Sequence, residues 1–320
     1  MIRAKNIVET PLVSVIILNY KRLEAFKLAL DSVLQQEYPN REIIVVDNHS
    51  EEDIESLVRN RDASIKLIQL PTNRGSCGGR NAGIREARGD ILITLDNDVN
   101  FSSPFELTKV VNTFKQRPDI HVLAFQVCDA ETGELRLREW CHPRNWKKFG
   151  QSEFETHFFG EGAVAFRRQV FQTCGLYYEP FFIGCEGYDL ALRILNHGFR
   201  ILYAPRIRVH HLMSPETRRP DRAYYIYTRN YLWITYKDYP LVAGLRFLLP
   251  KLAMMLYFAV RERCPGAFLR GLRDGVLGLA EIGSSRSPIS KSTIKYLAEL
   301  EKWRPGLFFR LARHKLKPLL

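Results

Sequence analysis

Short apolar runs alternate with amphipathic segments along the first 95 residues of the chain. The apolar runs are LVSVIIL, EIIVV, IKLIQL and ILITL, at residues 12–18, 42–46, 65–70 and 91–95. Three segments with helical spacing separate them, at residues 23–36, 51–60 and 79–87. Continuous apolar strands that alternate with helices are typical of a parallel sheet covered on both faces. The pattern predicts a βαβαβαβ series whose ligands gather at the carboxyl ends of the strands.

Beyond residue 100 the alternation becomes less regular. Helices are predicted at residues 104–116 and 188–197, and strands at 122–128, 158–166 and 199–204. These elements predict a mixed second half of the same sheet. After residue 215 the pattern becomes helical throughout, so we predict an α/β domain over residues 1–215 and a helical region over 216–320.

Charge separates the same two regions. The formal net charge of the chain is +12. Residues 1–215 contribute nothing to it, with 27 basic and 27 acidic residues, whereas residues 216–320 hold 20 basic and 8 acidic ones. No helix-turn-helix, zinc-finger or single-strand-binding pattern accompanies the excess, so we expect no nucleic-acid partner.

The apolar stretch 241–260 is about long enough to span a membrane, but Arg246, Pro250 and Lys251 interrupt it. Its basic flank favours a helix lying on an anionic membrane surface, and packing on the α/β domain is the alternative. This flank consists of Arg261, Arg263, Arg270 and Arg273.

The remaining sequence features favour a cytoplasmic location. The six cysteines form no C-x-x-C pair, which predicts free thiols in a reducing compartment. The first residues, MIRAKNIVETP, lack the apolar core of a signal peptide. We expect a cytoplasmic protein that associates peripherally with the inner face of the cell membrane.

Polar residues follow each predicted strand of the first half, and their loops are expected to open on one edge of the sheet. In LDND, two carboxylates one residue apart at a strand end can both reach a hard divalent cation. The alternative is that these residues only end the strand and form a turn. Asp47 is placed to accept hydrogen bonds from a base or ribose, and Arg74 to face a base or a phosphate. Together these residues indicate a nucleotide cleft: Asn19, Tyr20, Asp47, Arg74, Asp96 and Asp98.

Three further motifs carry candidate chemistry. The glycine-rich run 75–83 matches neither G-x-G-x-x-G nor the P-loop, and predicts either a flexible connection near a ligand or tight packing. Glu186 and Asp189 lie at the start of a predicted helix. Either one of them is a base that faces the cleft, or both are acids that interact with the positive end of the helix dipole. His210 and His211 end a strand, where one imidazole is either a metal ligand or structural.

Taken in order, these segments resemble the inverting nucleotide-sugar glycosyltransferases of glycosyltransferase family 2, and most of all bacterial rhamnosyltransferase-type members. The resemblance covers about residues 11–237. Its markers are VSVIILNYKR, EIIVVDNHS, NRG with GGRNAG, LDND, FFGEGAVAFRR, FFIGCEGYDLALRILNHGFRILYAPRIRVHH and YYIYTRNYLWITYK. It implies the GT-A fold, here a mixed, mainly parallel sheet with a C-terminal helical extension.

The resemblance also implies roles for individual residues. Asp47 and Arg74 would hold the nucleotide base, and Asp96 and Asp98 would form the DXD motif that binds ribose and the metal–diphosphate. His211 of the late V-x-H motif would complete the coordination of Mn²⁺ or Mg²⁺. Asn19, Tyr20 and Asn81 complete the predicted nucleotide-sugar site. The partners implied are a nucleotide-diphosphate sugar donor and a glycan or lipid-linked acceptor, in synthesis of a cell-surface polysaccharide.

One position departs from the family pattern. Where the family has Glu-Asp, with the second acid acting as the base, this chain has Glu186 and Gly187. Glu186 is then the nearest candidate base and Asp189 the second. The alternatives are a sugar-nucleotide nucleotidyltransferase, which normally carries a glycine-rich loop after the first strand, and a membrane-bound pseudoenzyme that binds a nucleotide sugar without turnover.

Overall fold

A computed structural model of the chain describes residues 10–212 and 220–304. Its strands form one sheet in the order β3-β2-β1-β4-β8-β6-β9-β5, and β7 pairs with β9. The strands are β1 Val13–Asn19, β2 Arg41–Asp47, β3 Lys66–Gln69, β4 Ile91–Asp96, β5 Val99–Phe101, β6 Val122–Cys128, β7 Phe154–Thr156, β8 Ala163–Arg167 and β9 Ile201–His211. The helices that pack on this sheet are α1 Leu23–Leu34, α2 Ile54–Arg61, α3 Gly75–Glu86, α4 Glu106–Gln116, α5 Trp146–Phe149, α6 Arg168–Cys174 and α7 Glu186–Asn196.

The sheet is mixed, as predicted. The neighbours β3, β2, β1 and β4 pair in parallel, whereas β8 is antiparallel to both β4 and β6. In the register of the parallel strands Asn19 lies opposite Asp47, and Leu18 lies opposite Asp96. The carboxyl ends of β1, β2 and β4 are therefore level, which brings three of the predicted polar loops to one edge.

Apolar side chains of the central strands point alternately to two buried layers, as the pleat requires. Val13, Val15 and Ile17 of β1 belong to one layer, with residues of α1 and α4. Ile16 and Leu18 belong to the other layer, with residues of α3 and α7. Burial on both faces explains why these strands are continuously apolar in the sequence.

The glycine-rich run is helical rather than a connection, because α3 begins at Gly75 and not near residue 79. A Cβ on Gly79 would lie 2.3 Å from Leu18 Cδ1, and one on Gly83 would lie 2.3 Å from Ile16 Cγ2. These two glycines let α3 lie directly on β1. Of the two interpretations left open by the sequence, tight packing is the one the structure supports.

The C-terminal helices are α8 Pro220–Asp238, α9 Leu241–Arg261, α10 Pro265–Leu277, α11 Leu279–Gly283 and α12 Lys291–Glu301. Trp233 and Ile234 of α8 are buried in the same apolar layer as α7, so this region shares a core with the sheet. Met255 and Phe258 of α9 pack with α8 and α10. The boundary predicted near residue 215 lies outside the described residues.

Candidate functional site

Asn19 links the ends of three parallel strands. Its Nδ2 donates to Asp47 Oδ1 at 3.2 Å, and its Oδ1 accepts from Asn97 Nδ2 at 2.9 Å. Asn19 is fully buried and Asp47 is nearly so. Since both ends of the Asn19 amide are engaged within the protein, its role is to hold Asp47 beside the Asp96–Asp98 loop.

The loop after β3 is tied to the same edge. Asn48, which follows β2, accepts a hydrogen bond from the Arg74 amide at 2.8 Å. The Arg74 guanidinium forms an ion pair with Glu179 at 2.6 Å and stays partly exposed. Tyr20 is 40% exposed at the end of β1. Asp47, Arg74 and Tyr20 are therefore grouped at one edge, as predicted from the strand ends.

Asp98 and His211 lie together although they are far apart in sequence. His211 Nε2 is 3.4 Å from Asp98 Oδ2, and His211 Nδ1 is 3.1 Å from Glu139 Oε1. Burial alone would lower the pKa of His211, but the two carboxylates raise it from 6.5 to about 10. The imidazole thus lies between two anionic groups that favour a positive charge.

This arrangement fits a divalent cation. A histidine ligand must be neutral, so a cation held between Asp98 and His211 would displace the proton from His211 Nε2. Glu139 at Nδ1 would then be the usual carboxylate partner of a histidine ligand. Within residues 10–212 and 220–304, no three His, Cys, Asp or Glu side chains are arranged to hold a metal ion by themselves. The protein would therefore supply Asp98 and His211, and diphosphate oxygens and water would supply the remaining ligands.

Behind this edge, Arg80 connects two acidic groups. Its Nη2 donates to Asp96 Oδ1 at 2.6 Å, and its Nη1 lies 3.2 Å from Glu186 Oε1. Arg80 is 2% exposed and Glu186 is 1% exposed. The sequence prediction missed Arg80 and Glu139. A basic residue inside the glycine-rich helix was the available signal for Arg80.

Two residues predicted to belong to the site, Asn81 and Asp189, form their polar contacts within the fold. Asn81 Nδ2 donates to the Tyr177 carbonyl at 2.8 Å and to Glu179 Oε1 at 3.0 Å, so its donors hold the 177–179 loop. Asp189 is fully buried, and its two oxygens pair with Arg193 and Lys237. These contacts indicate that Asn81 and Asp189 support the fold around the site, because neither presents a free polar group to a ligand.

Comparison with known proteins decides the family. The profile described as Glycosyl transferase family 2 matches residues 14–175, half of the chain. The chain belongs to this family. Its mixed sheet with helices on both faces is the GT-A fold.

The curated relatives are distant, and the matches cover only part of each of them. The O-antigen biosynthesis protein RfbC of Myxococcus xanthus is 26% identical in an alignment of 251 residues that covers 72% of this chain and 19% of RfbC. The matched segments span between 19% and 52% of the first three curated relatives.

Two solved structures share the fold. Mannosyltransferase PcManGT from Pyrobaculum calidifontis, in complex with GDP-Man and Mn²⁺, has a TM-score of 0.57 at 18% identity and covers 97% of this chain and 88% of its own. Residues 1–349 of S. aureus TarS, in complex with UDP-GlcNAc, have a TM-score of 0.61 at 15% identity. The match covers 90% of this chain and 88% of the TarS chain. At these identities the likeness concerns the fold alone.

Proposed function

We propose that this glycosyltransferase transfers a sugar, with inversion, from a nucleoside-diphosphate donor to a glycan or lipid-linked acceptor in the synthesis of a cell-surface polysaccharide. The observation that carries the proposal is the grouping of Asp47, Arg74, Asp98 and His211, from four separate parts of the chain, at one edge of the sheet. The polysaccharide context is supported by the similarity to RfbC. The family assignment favours transfer over the nucleotidyltransferase alternative.

In this proposal the donor lies across the carboxyl ends of β1, β2 and β4. Asp47 accepts hydrogen bonds from the base or ribose, and Arg74 faces the base. Asp96, which Arg80 holds in place, binds the ribose. Tyr20 borders the nucleotide site.

Asp98 and His211 would hold Mn²⁺ or Mg²⁺ against the diphosphate, as the donor set permits. When bound, the cation would stabilise the charge that develops on the departing nucleoside diphosphate. Inversion needs one displacement at the anomeric carbon and no covalent intermediate. The chain must therefore also supply a base for the acceptor hydroxyl.

We expect one class of nucleotide sugar to stabilise the folded protein in the presence of Mn²⁺. A ligand at about 100 times its Kd adds about 2.7 kcal/mol to the free energy of unfolding. Thermal unfolding with UDP-, GDP-, dTDP- and ADP-sugars, each with Mn²⁺, Mg²⁺ or EDTA, measures this. Nucleoside monophosphates serve as the control. If no nucleotide sugar raises the melting temperature with either Mn²⁺ or Mg²⁺, the proposed function is wrong.

The proposed membrane association is supported by α9. It is the single helix of the described residues that is long and apolar enough to cross a membrane, with a mean hydropathy of 1.6. One face packs on α8 and α10, so packing on the protein accounts for only part of its apolar surface. The other face exposes Val242, Leu245, Leu249, Leu256 and Val260. Arg246 and Arg261 of the same helix are exposed, and each basic residue adds about 1 kcal/mol near an anionic surface.

We expect Leu249→Asp with Val260→Asp to remove the protein from anionic membranes. Both side chains are more than half exposed, so the exchange removes apolar contact with lipid and adds repulsion. Flotation with phosphatidylcholine–phosphatidylglycerol vesicles measures this. The matched control is Leu28→Asp with Phe105→Asp, two exposed apolar residues near the sheet. If wild type and the α9 variant float equally, α9 does not anchor the protein.

A further inference from the structure

Gly187 stands where the family resemblance places the catalytic acid, and a glutamate from another element fills the space of its missing side chain. A Cβ on Gly187 would lie 2.4 Å from Glu161 Oε1, 2.5 Å from Glu161 Cγ and 2.8 Å from Glu161 Cδ. Such distances are too short for any real Cβ. A side chain at 187 and the observed Glu161 side chain therefore exclude each other, and the chain carries the carboxyl group on residue 161.

Two hydrogen bonds hold Glu161 in this place. Its Oε1 accepts from the Gly187 amide at 2.7 Å, in the first turn of α7. Its carbonyl accepts from Arg80 Nη2 at 3.2 Å, the same nitrogen that binds Asp96. The next residue, Gly162, accepts from the Asp96 amide at 2.8 Å. Glu161 is thus fixed beside the DXD motif while remaining only partly buried.

The surroundings of Glu161 strengthen its affinity for a proton. Burial and the Glu186 carboxylate raise the pKa of Glu161 well above its ordinary 4.5, against the opposing effects of Arg80 and the Gly187 amide. The raised pKa makes the deprotonated Glu161 a stronger base than an ordinary glutamate. Glu186 is less suited to the role, since it is 1% exposed and bonded to Arg80.

We propose that Glu161 is the general base of this glycosyltransferase and replaces the acid that is missing at position 187; this rests on the proposed function. Glu161 takes the proton of the acceptor hydroxyl. The hydroxyl oxygen bonds to the anomeric carbon while the bond from that carbon to the diphosphate oxygen breaks, and its electron pair leaves with the nucleoside diphosphate. The proton then passes from Glu161 to solvent.

We expect Glu161→Gln to slow the reaction about 10²- to 10⁴-fold and to leave donor binding unchanged. The assay uses UDP-GlcNAc and GDP-mannose with Mn²⁺ and water as acceptor. Release of nucleoside diphosphate gives the rate, and calorimetry gives the Kd. The matched control is Glu153→Gln, an exposed glutamate upstream that should keep the full rate. Full activity in Glu161→Gln, or a loss of donor binding equal to the loss of rate, would overturn the proposal.

A second pair of variants separates catalysis from folding. Glu161→Ala vacates the space beside Gly187, and Glu161→Ala with Gly187→Asp returns a carboxyl group to it. We expect the double variant to be at least about tenfold faster than Glu161→Ala, because a base is regained. A structural role for Glu161 predicts no such rescue, so a double variant as slow as Glu161→Ala contradicts the proposal. If wild type neither binds nor hydrolyses any nucleotide sugar of the thermal-unfolding series, the proposed function itself fails, whereas binding without turnover indicates the pseudoenzyme and overturns the role of Glu161 as a base.

Discussion

Asp98→Ala is expected to lower the rate of nucleoside diphosphate release about 10²- to 10³-fold, the usual effect of losing one group that stabilises developing charge. Asp98 is 6% exposed and faces His211 and Arg22. Without the Asp98 carboxylate, the site loses one of the two side chains that would hold the cation, while Glu139 still faces His211. We therefore expect Mn²⁺ to bind weakly and to lose its effect on the rate.

The measurement combines two readouts. Mn²⁺ titration in the presence of UDP, followed by electron paramagnetic resonance, reports binding apart from turnover. Asp98→Asn keeps the size of the side chain and should fail in the same way. The matched control is Asp31→Asn, which removes an exposed carboxylate paired with Arg61 on the surface. Equal rates for EDTA-treated and Mn²⁺-loaded wild type would remove the cation from the mechanism.

Arg80→Met should reduce the free energy of unfolding by about 3–5 kcal/mol at neutral pH, as expected when one partner of a buried ion pair is removed. The guanidinium is 2% exposed and contacts Asp96 and Glu186, so its loss removes the ion pair of a carboxylate that is only 1% exposed. Burial raises the pKa of Asp96 and the Arg80 guanidinium opposes that rise, so without Arg80 the Asp96 carboxyl takes up a proton more readily in the folded state than in the unfolded one. The deficit should therefore shrink as the pH falls toward about 4 and grow as the pH rises.

Urea unfolding over a range of pH measures this effect. Arg85→Met is the matched control, because Arg85 lies on the same helix and pairs with Glu179, but is about half exposed. It should cost less than about 1 kcal/mol. If Arg80→Met costs no more than Arg85→Met, the buried cluster does not organise the site.

Much of the first half of the fold followed from the sequence. The strands predicted at 12–18, 42–46 and 91–95 lie within one residue of β1, β2 and β4 at each end. Buried parallel strands are continuously apolar and their helices are periodic, so local pattern is sufficient there. The strand predicted at 158–166 was less accurate, since β8 is confined to residues 163–167. The preceding residues carry Glu161 and Gly162, whose contacts are with the site.

The two three-residue strands β5 and β7 escaped prediction because so short a segment has no measurable period. The predicted start of α3, near residue 79 instead of Gly75, was wrong for a different reason. Glycine favours loops locally, whereas here Gly79 and Gly83 are required by the closeness of α3 to β1.

By itself, the sequence determined which residues end the strands, and hence that Asp47, Arg74, Asp96 and Asp98 come to one edge of a parallel sheet. Strand period and the geometry of parallel pairing are local properties, so composition and spacing carry them. Only the tertiary structure decided which distant groups meet: Glu139 with His211, Arg80 with Glu186, and Glu161 with the backbone of Gly187. Those contacts depend on the order in which strands pair and on how closely α3 and α7 approach the sheet, and no local pattern encodes either.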